Sequence, residues 1–170
     1  MQAFVNTLDI ENGVEELTSP DVLRDTLVHL GLLEAETLSE ADLRTGLEAR
    51  EALRDLALAN SGVRVGHAAL RTLERVAQRA DYTLRFAGDE GARLVAAAPG
   101  IDGALGRILA AAFAAMLDGS WQRLKACPRD VCGWAFYDRS TNASATWCSM
   151  RVCGGRVKAG AYYRRRRAAG

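Results

Sequence analysis

All four cysteines of this 170-residue chain fall in one 27-residue stretch, as Cys127-x4-Cys132 and Cys148-x4-Cys153 with 15 residues between the pairs. Zinc takes four tetrahedral donors, and two short loops that each present a pair of thiolates supply them with little chain entropy to overcome. Pro128 and Gly133 at the first pair, and Gly154-Gly155 after the second, are turn residues that let backbone amides approach sulfur. Four unrelated buried cysteines would not repeat one spacing. Disulfides are disfavoured because MQAFVNTLDIENG lacks the basic region and long apolar run of a secretion leader. An iron–sulfur cluster also takes four thiolates, but the dense ferredoxin spacings are missing. The spacing favours one zinc ion, and four cysteinates leave no position for a reacting water, so the ion is expected to be structural.

The charge of the chain divides at the same place. Residues 120–170 carry 11 of the 22 Lys and Arg but only Asp130 and Asp138 as acids, a balance of +9, against −8 for the rest. A basic segment on an acidic body points to a polyanionic partner, with docking of the tail on the body itself as the alternative. At 49% hydrophobic and 25% charged residues the composition is that of a globular chain, not a disordered one. No stretch is read as approaching the roughly 20 apolar residues of a membrane span, and a cytoplasmic protein is expected.

Hydrophobic periodicity predicts a mainly helical N-terminal domain over 1–119. Ser19 and Pro20 open a helix reaching Leu33, with Val22, Leu23, Thr26, Leu27 and Leu30 as its apolar stripe. Ser39 and Asp42 have capping-box spacing for a second helix reaching Asn60. A third spans about 63–80, with Leu70, Leu73, Val76 and Ala77 inward. Alternation at Tyr82, Leu84 and Phe86, then Gly88-Asp89-Glu90-Gly91, predicts a β-hairpin reaching Ala98. After Pro99-Gly100, Ile101, Leu105, Ile108, Leu109, Ala112, Phe113 and Met116 form the stripe of a core helix ending at Asp118-Gly119.

Residues 120–170 are predicted to form a zinc-bound hairpin-plus-helix module, so the fold class is α+β. The hairpin is expected between the cysteine pairs, from Trp134–Tyr137 through the turn 138–142 to Ala145–Trp147, with Trp121, Trp134 and Trp147 as its small core. Asn142-Ala143-Ser144 matches a glycosylation acceptor by chance. Arg151, Arg156, Lys158 and the run Arg164, Arg165, Arg166 and Arg167, on a helix after Gly155, are the candidate nucleic-acid contacts, since guanidinium forks bind phosphate bidentately. The alternative is a solubilising end.

In the helix after Ser39, Arg50 and Arg54 share a line with Leu43 and Leu47, so both are predicted to point inward and to need an anion. Either an acidic side chain such as Asp9 or a bound ligand would serve, with Asn6 and Thr7 lining the same region. His29 and His67 are read as structural or surface residues. No catalytic triad, phosphate loop or paired carboxylates can be placed, so no enzyme is expected.

The segment WCSMRVCGGR-V-K resembles the C-terminal CGNR zinc finger of bacterial proteins, and AFVNTLD, ELTSP and AREALR resemble the ABATE-type domain that precedes it. The resemblance covers nearly the whole chain. It implies a stress-responsive transcription regulator with zinc on Cys127, Cys132, Cys148 and Cys153 and with Arg156 and Lys158 at the motif's basic positions. Gly155 stands where the family motif has Asn. The combined expectation is a zinc-containing DNA-binding regulator, with a small-molecule effector and a homodimer as further expected partners. The alternatives are a finger that docks an acidic protein, and a ligand-binding N-terminal domain with a merely structural finger.

Overall fold

The computed structural model describes residues 1–34, 36–88 and 91–168. In order these form α1 (Gln2–Val5), β1 (Leu8–Asp9), β2 (Val14–Glu15), α2 (Pro20–His29), α3 (Glu40–Ala59), α4 (His67–Arg79), β3 (Tyr82–Phe86), β4 (Ala92–Ala96), α5 (Gly100–Leu117), a 3-10 turn, β5 (Leu124–Ala126), β6 (Ala135–Tyr137), a π turn and α6 (Gly155–Ala168). The strands make three separate antiparallel pairs.

Local chemistry sets the helix ends. The Ser19 hydroxyl accepts from the Val22 amide, and α2 stops near Leu30, short of the predicted Leu33, because Gly31 adopts φ +68°. Ser39 and Asp42 form the reciprocal capping box that opens α3. Helix α4 starts at His67, four residues later than predicted. Its inward positions are Ala69, Leu73 and Val76, while Leu70 faces out. The core beneath these helices is centred on Phe4, Leu17, Leu23, Leu27, Leu53, Leu105 and Ile108.

The predicted hairpin forms, with Tyr82 opposite Ala96 and Leu84 opposite Leu94; its expected tip residues Asp89 and Glu90 lie outside the described residues. Its apolar face is not sealed, however. Phe86 is 81% exposed, and Leu84 and, on α5, Phe113, Met116 and Leu117 are exposed too. The N-terminal half of α5 packs in the core, and its last turns run past it. A cleft of about 650 Å³ remains between β4 and α5, lined by Leu84, Leu94, Phe113 and Leu117 among others. Helix α5 is also long and apolar enough to cross a membrane by length and composition, which the sequence reading had not recognised; here Ile101, Ala104, Leu105 and Ile108 bury its inner face.

Arg50 and Arg54 do point inward, each 3% exposed. Arg50 donates from Nη1 and Nη2 to the two oxygens of Glu15, at 2.6 and 2.7 Å, and from Nε to Glu51. Arg54 donates from Nε to Glu51, from Nη1 to the Gly133 carbonyl at 2.6 Å, and from Nη2 to the Val5 carbonyl at 2.7 Å. The expected partner Asp9 instead accepts from Asn12 in its own turn. Thr7 donates to Phe4 and accepts from Arg50, and the Asn6 amide bonds the Ala135 backbone in both directions. Asn6, Thr7, Arg50 and Arg54 thus belong to one internal network, in which Glu15, Glu51 and backbone carbonyls are the acceptors for the two guanidiniums. Among the described residues no buried side-chain nitrogen or oxygen lacks a partner.

Burial opposes ionisation of Glu15, but the Arg50 guanidinium outweighs it and holds the carboxyl below its usual range. The pair therefore stabilises the fold fully above about pH 4.5, and this is lost as the pH falls through the lowered native value. Replacing Arg54 by Ala leaves two buried carbonyls without donors and opens a gap beside Gly133. We expect a loss of about 3–5 kcal/mol in chemical denaturation, and a loss under 1 kcal/mol would refute this role.

Candidate metal centre

Strands β5 and β6 pair with Leu124 opposite Tyr137 and Ala126 opposite Ala135, so the first cysteine pair lies in the loop of this hairpin. The strand partner of Ala135–Tyr137 therefore precedes Cys127, whereas the expected partner Ala145–Trp147 is not a strand. The Cys127 amide donates to the Trp134 carbonyl at 2.9 Å and the Cys132 amide to the Arg129 carbonyl at 2.8 Å, which closes the loop. Gly133 follows with φ +60°, and a Cβ there would sit 2.7 Å from Ile10 Cδ1. That left-handed step turns its carbonyl toward Arg54.

The second pair is presented by a π turn, Met150–Gly154, whose Ser149 hydroxyl accepts from the Val152 amide. Such turns re-aim one residue relative to an α-helix, here Cys153. A Cβ on Gly154 would lie 2.5 Å from Met150 Sδ and 2.9 Å from Trp147 Cδ1, so this glycine is required by close approach. A Cβ on Gly155 would meet nothing closer than Met150 O at 3.8 Å, and φ and ψ are helical, so this position accepts a Cβ without strain.

All four sulfurs lie within 4.8 Å of one another. Cys132–Cys148, Cys148–Cys153 and Cys132–Cys153 are 3.7, 3.6 and 3.7 Å apart. A tetrahedron with Zn–S bonds of about 2.3 Å has edges of about 3.8 Å. The donors thus fit one zinc ion. The same spacing leaves no room for a multi-iron cluster between the sulfurs and is far beyond a disulfide bond. Burial pushes the Cys132 thiol up to about 11 and raises that of Cys148 further. Burial also acts on Cys153, but the Arg129 Nε, donating to its Sγ at 3.3 Å, outweighs it and favours the thiolate.

A second organising group was not visible in the sequence reading. Asp138, fully buried, accepts from Lys125 Nζ at 2.8 Å, from the Ser140 amide and hydroxyl, and from the Ala145 amide. Lys125 also donates to the carbonyls of Ala143 and Ala145. Desolvation works against the Asp138 carboxylate, yet these donors hold its carboxyl far below the usual range. The loop expected to be a strand is wrapped around this pair instead. One signal was available: Asp138 is one of two acids in an otherwise basic segment. Of the three tryptophans, Trp121 is buried and Trp147 packs on the cysteines, but Trp134 is exposed and is not core.

The candidate nucleic-acid residues are brought to one end of the molecule. Arg151 lies on the π turn, and Arg156, Lys158 and Arg164–Arg167 on α6; all are exposed. Arg156 also donates to Glu11 of the β1–β2 turn, as does Arg129. The finger is tied to the helical part elsewhere too, through Asn60 to the Trp121 and Leu124 carbonyls and Ser61 to that of Ala126.

Comparison with family models gives ABATE, "Putative stress-induced transcription regulator", over residues 1–120 and the CGNR zinc finger over residues 123–166. The chain belongs to the ABATE family. No curated protein gives a significant match. In this ABATE protein the CGNR finger supplies the four thiolates, and neither family description names a reaction.

We expect about one zinc per chain in the purified reduced protein, and a chelator to lower the melting temperature, because binding free energy here is folding free energy. Absence of zinc would refute the assignment. Gly154→Ala should cost about 1–3 kcal/mol, while Gly155→Asn should be neutral or stabilising by up to about 1 kcal/mol; the contrast is read by thermal melting. Asp138→Asn, which strands the Lys125 ammonium, should cost about 3 kcal/mol in the same assay. The wild-type pair contributes fully above about pH 4 and fails only as the pH falls through the lowered native value of Asp138.

Proposed function

We propose that this protein is a zinc-containing, DNA-binding transcription regulator whose DNA contacts come from the π turn and α6. The observation that carries this reading is the placement of Arg151, Arg156, Lys158 and Arg164–Arg167, all exposed, on one short helical extension whose base is pinned by the cysteine cluster. A helix fixed at one end and basic along its length suits phosphate contact in or beside a duplex groove. Tyr162 and Tyr163, exposed and edge-to-face at 5.6 Å, add donors on the same helix. The family description of ABATE supports a regulatory role. The exposed apolar side chains Phe113, Met116 and Leu117 are the surface on which a homodimer would be built in this reading.

Full-length zinc-loaded protein should bind duplex DNA with an affinity that falls steeply in salt. Replacing Arg164, Arg165, Arg166 and Arg167 together by Ala should remove most of it and flatten the log–log salt slope by up to about 3.6, the loss of four phosphate contacts. Unchanged binding by this variant at low salt would overturn the assignment. Binding of acidic proteins in place of DNA would favour the finger as a protein-docking module.

A further inference from the structure

Beside the sulfur cage, one cleft has the make-up of an anion site. It encloses about 440 Å³ between the first cysteine loop and α6, and Arg129, Asp130, Trp147, Arg156, Gly160 and Arg164 line it. Arg129 is fixed there, its side chain 13% exposed and its Nε bonded to Cys153 Sγ. Arg156, Gly160 and Arg164 follow one another at single turns of α6. A Cβ at Gly160 would be in ordinary contact with Arg164 Nη1 at 3.5 Å, so that guanidinium lies back along the helix beside Gly160.

Two of these arginines, Arg129 and Arg156, are also held by Glu11, from the turn between β1 and β2. Its Oε2 accepts from Arg129 Nη2 and its Oε1 from Arg156 Nη1. A carboxylate that bridges two guanidiniums presents two oxygens as a phosphate group does, and arginine forks take either. The bridge is open to water, with the Arg156 side chain 57% and the Glu11 side chain 32% exposed. Such an exposed ion pair contributes little and can be exchanged.

We infer that Arg129 and Arg156 form a phosphate site, that Arg164 completes it, and that Glu11 is a tethered carboxylate competing with phosphate for it. The N-terminal domain thereby restrains the basic surface of the finger. A phosphodiester of nucleic acid as the source of that phosphate rests on the function proposed above; a free phosphate has the same chemistry.

The test uses full-length zinc-loaded protein with two probes, a short duplex DNA and inorganic pyrophosphate. The variants are Glu11→Gln, Arg156→Ala, their combination, and Glu16→Gln as an equal charge change on an exposed carboxylate outside the cleft. Glu11→Gln should tighten binding about fivefold, Glu16→Gln by less than about twofold, and the Glu11→Gln gain should shrink in the Arg156→Ala background, where only Arg129 is left for it to release. Equal gains from the two Gln variants, or a Glu11→Gln gain that is undiminished without Arg156, would overturn the site. So would a Glu11→Gln protein that melts lower but binds both probes as wild type does, since that is the mark of a merely structural bridge. Tightening for pyrophosphate with no duplex binding by any variant keeps the site and assigns it to free phosphate, against the DNA reading. Duplex binding that depends on Arg164–Arg167 but ignores Glu11 keeps the DNA reading and refutes the site.

Discussion

The Arg54 guanidinium, buried between α3, α1 and the first cysteine loop, is the contact on which the arrangement of the whole chain depends. It gives its hydrogens to Glu51, to the Val5 carbonyl and to the Gly133 carbonyl, and so spans helix, N-terminal segment and finger with one side chain. A buried cation is costly unless every donor is used, and here the planar fork meets acceptors on both sides. One turn earlier, Arg50 does the same for Glu15, locking β2 onto α3. Two of the three segments that carry the N-terminal resemblance, AFVNTLD and AREALR, meet in this network. Its product is positional: the knuckle loop is held by the helical domain before any metal is considered.

The finger has its own internal logic. Its strands are three residues each, too short to be stable alone, and its interior is mostly sulfur and Trp147. Zinc supplies the cross-link, and the Lys125–Asp138 pair organises the loop that the strands leave unsupported. Arg129 joins the two parts of the design, since it bonds Cys153 and Glu11. Charge and metal are thereby linked: the guanidinium that favours the Cys153 thiolate is also part of the cleft that faces α6.

Placement of the finger against the helical domain gives the opposed charges a meaning that composition lacks. The +9 segment is not a free tail on an acidic body. Its base contacts the body through Glu11, Arg164 lines the cleft beside that contact, and Arg165–Arg167 stay exposed. The docking of the tail on the body, an alternative at the level of composition, therefore takes up only the base of the basic segment.

The sequence by itself determined the zinc donors, the α+β class, the capping of α2 and α3, and the inward aim of Arg50 and Arg54. Each follows from short-range spacing, which an element of fixed period converts directly into geometry. Tertiary structure decided what could not be read that way. The anion for Arg50 came from Glu15 and not Asp9, because a two-residue strand pair turns Glu15 inward while Asp9 closes its own loop. The partner of β6 came from before the first cysteine, because the Asp138 carboxylate captures the segment that alternation suggested. Phe113 and Met116 fit the stripe of α5 but stay exposed, because periodicity gives the side of a helix and not how far along it the core extends. Glu11 reaches Arg156 across 145 positions, a contact that depends on where the whole finger is seated.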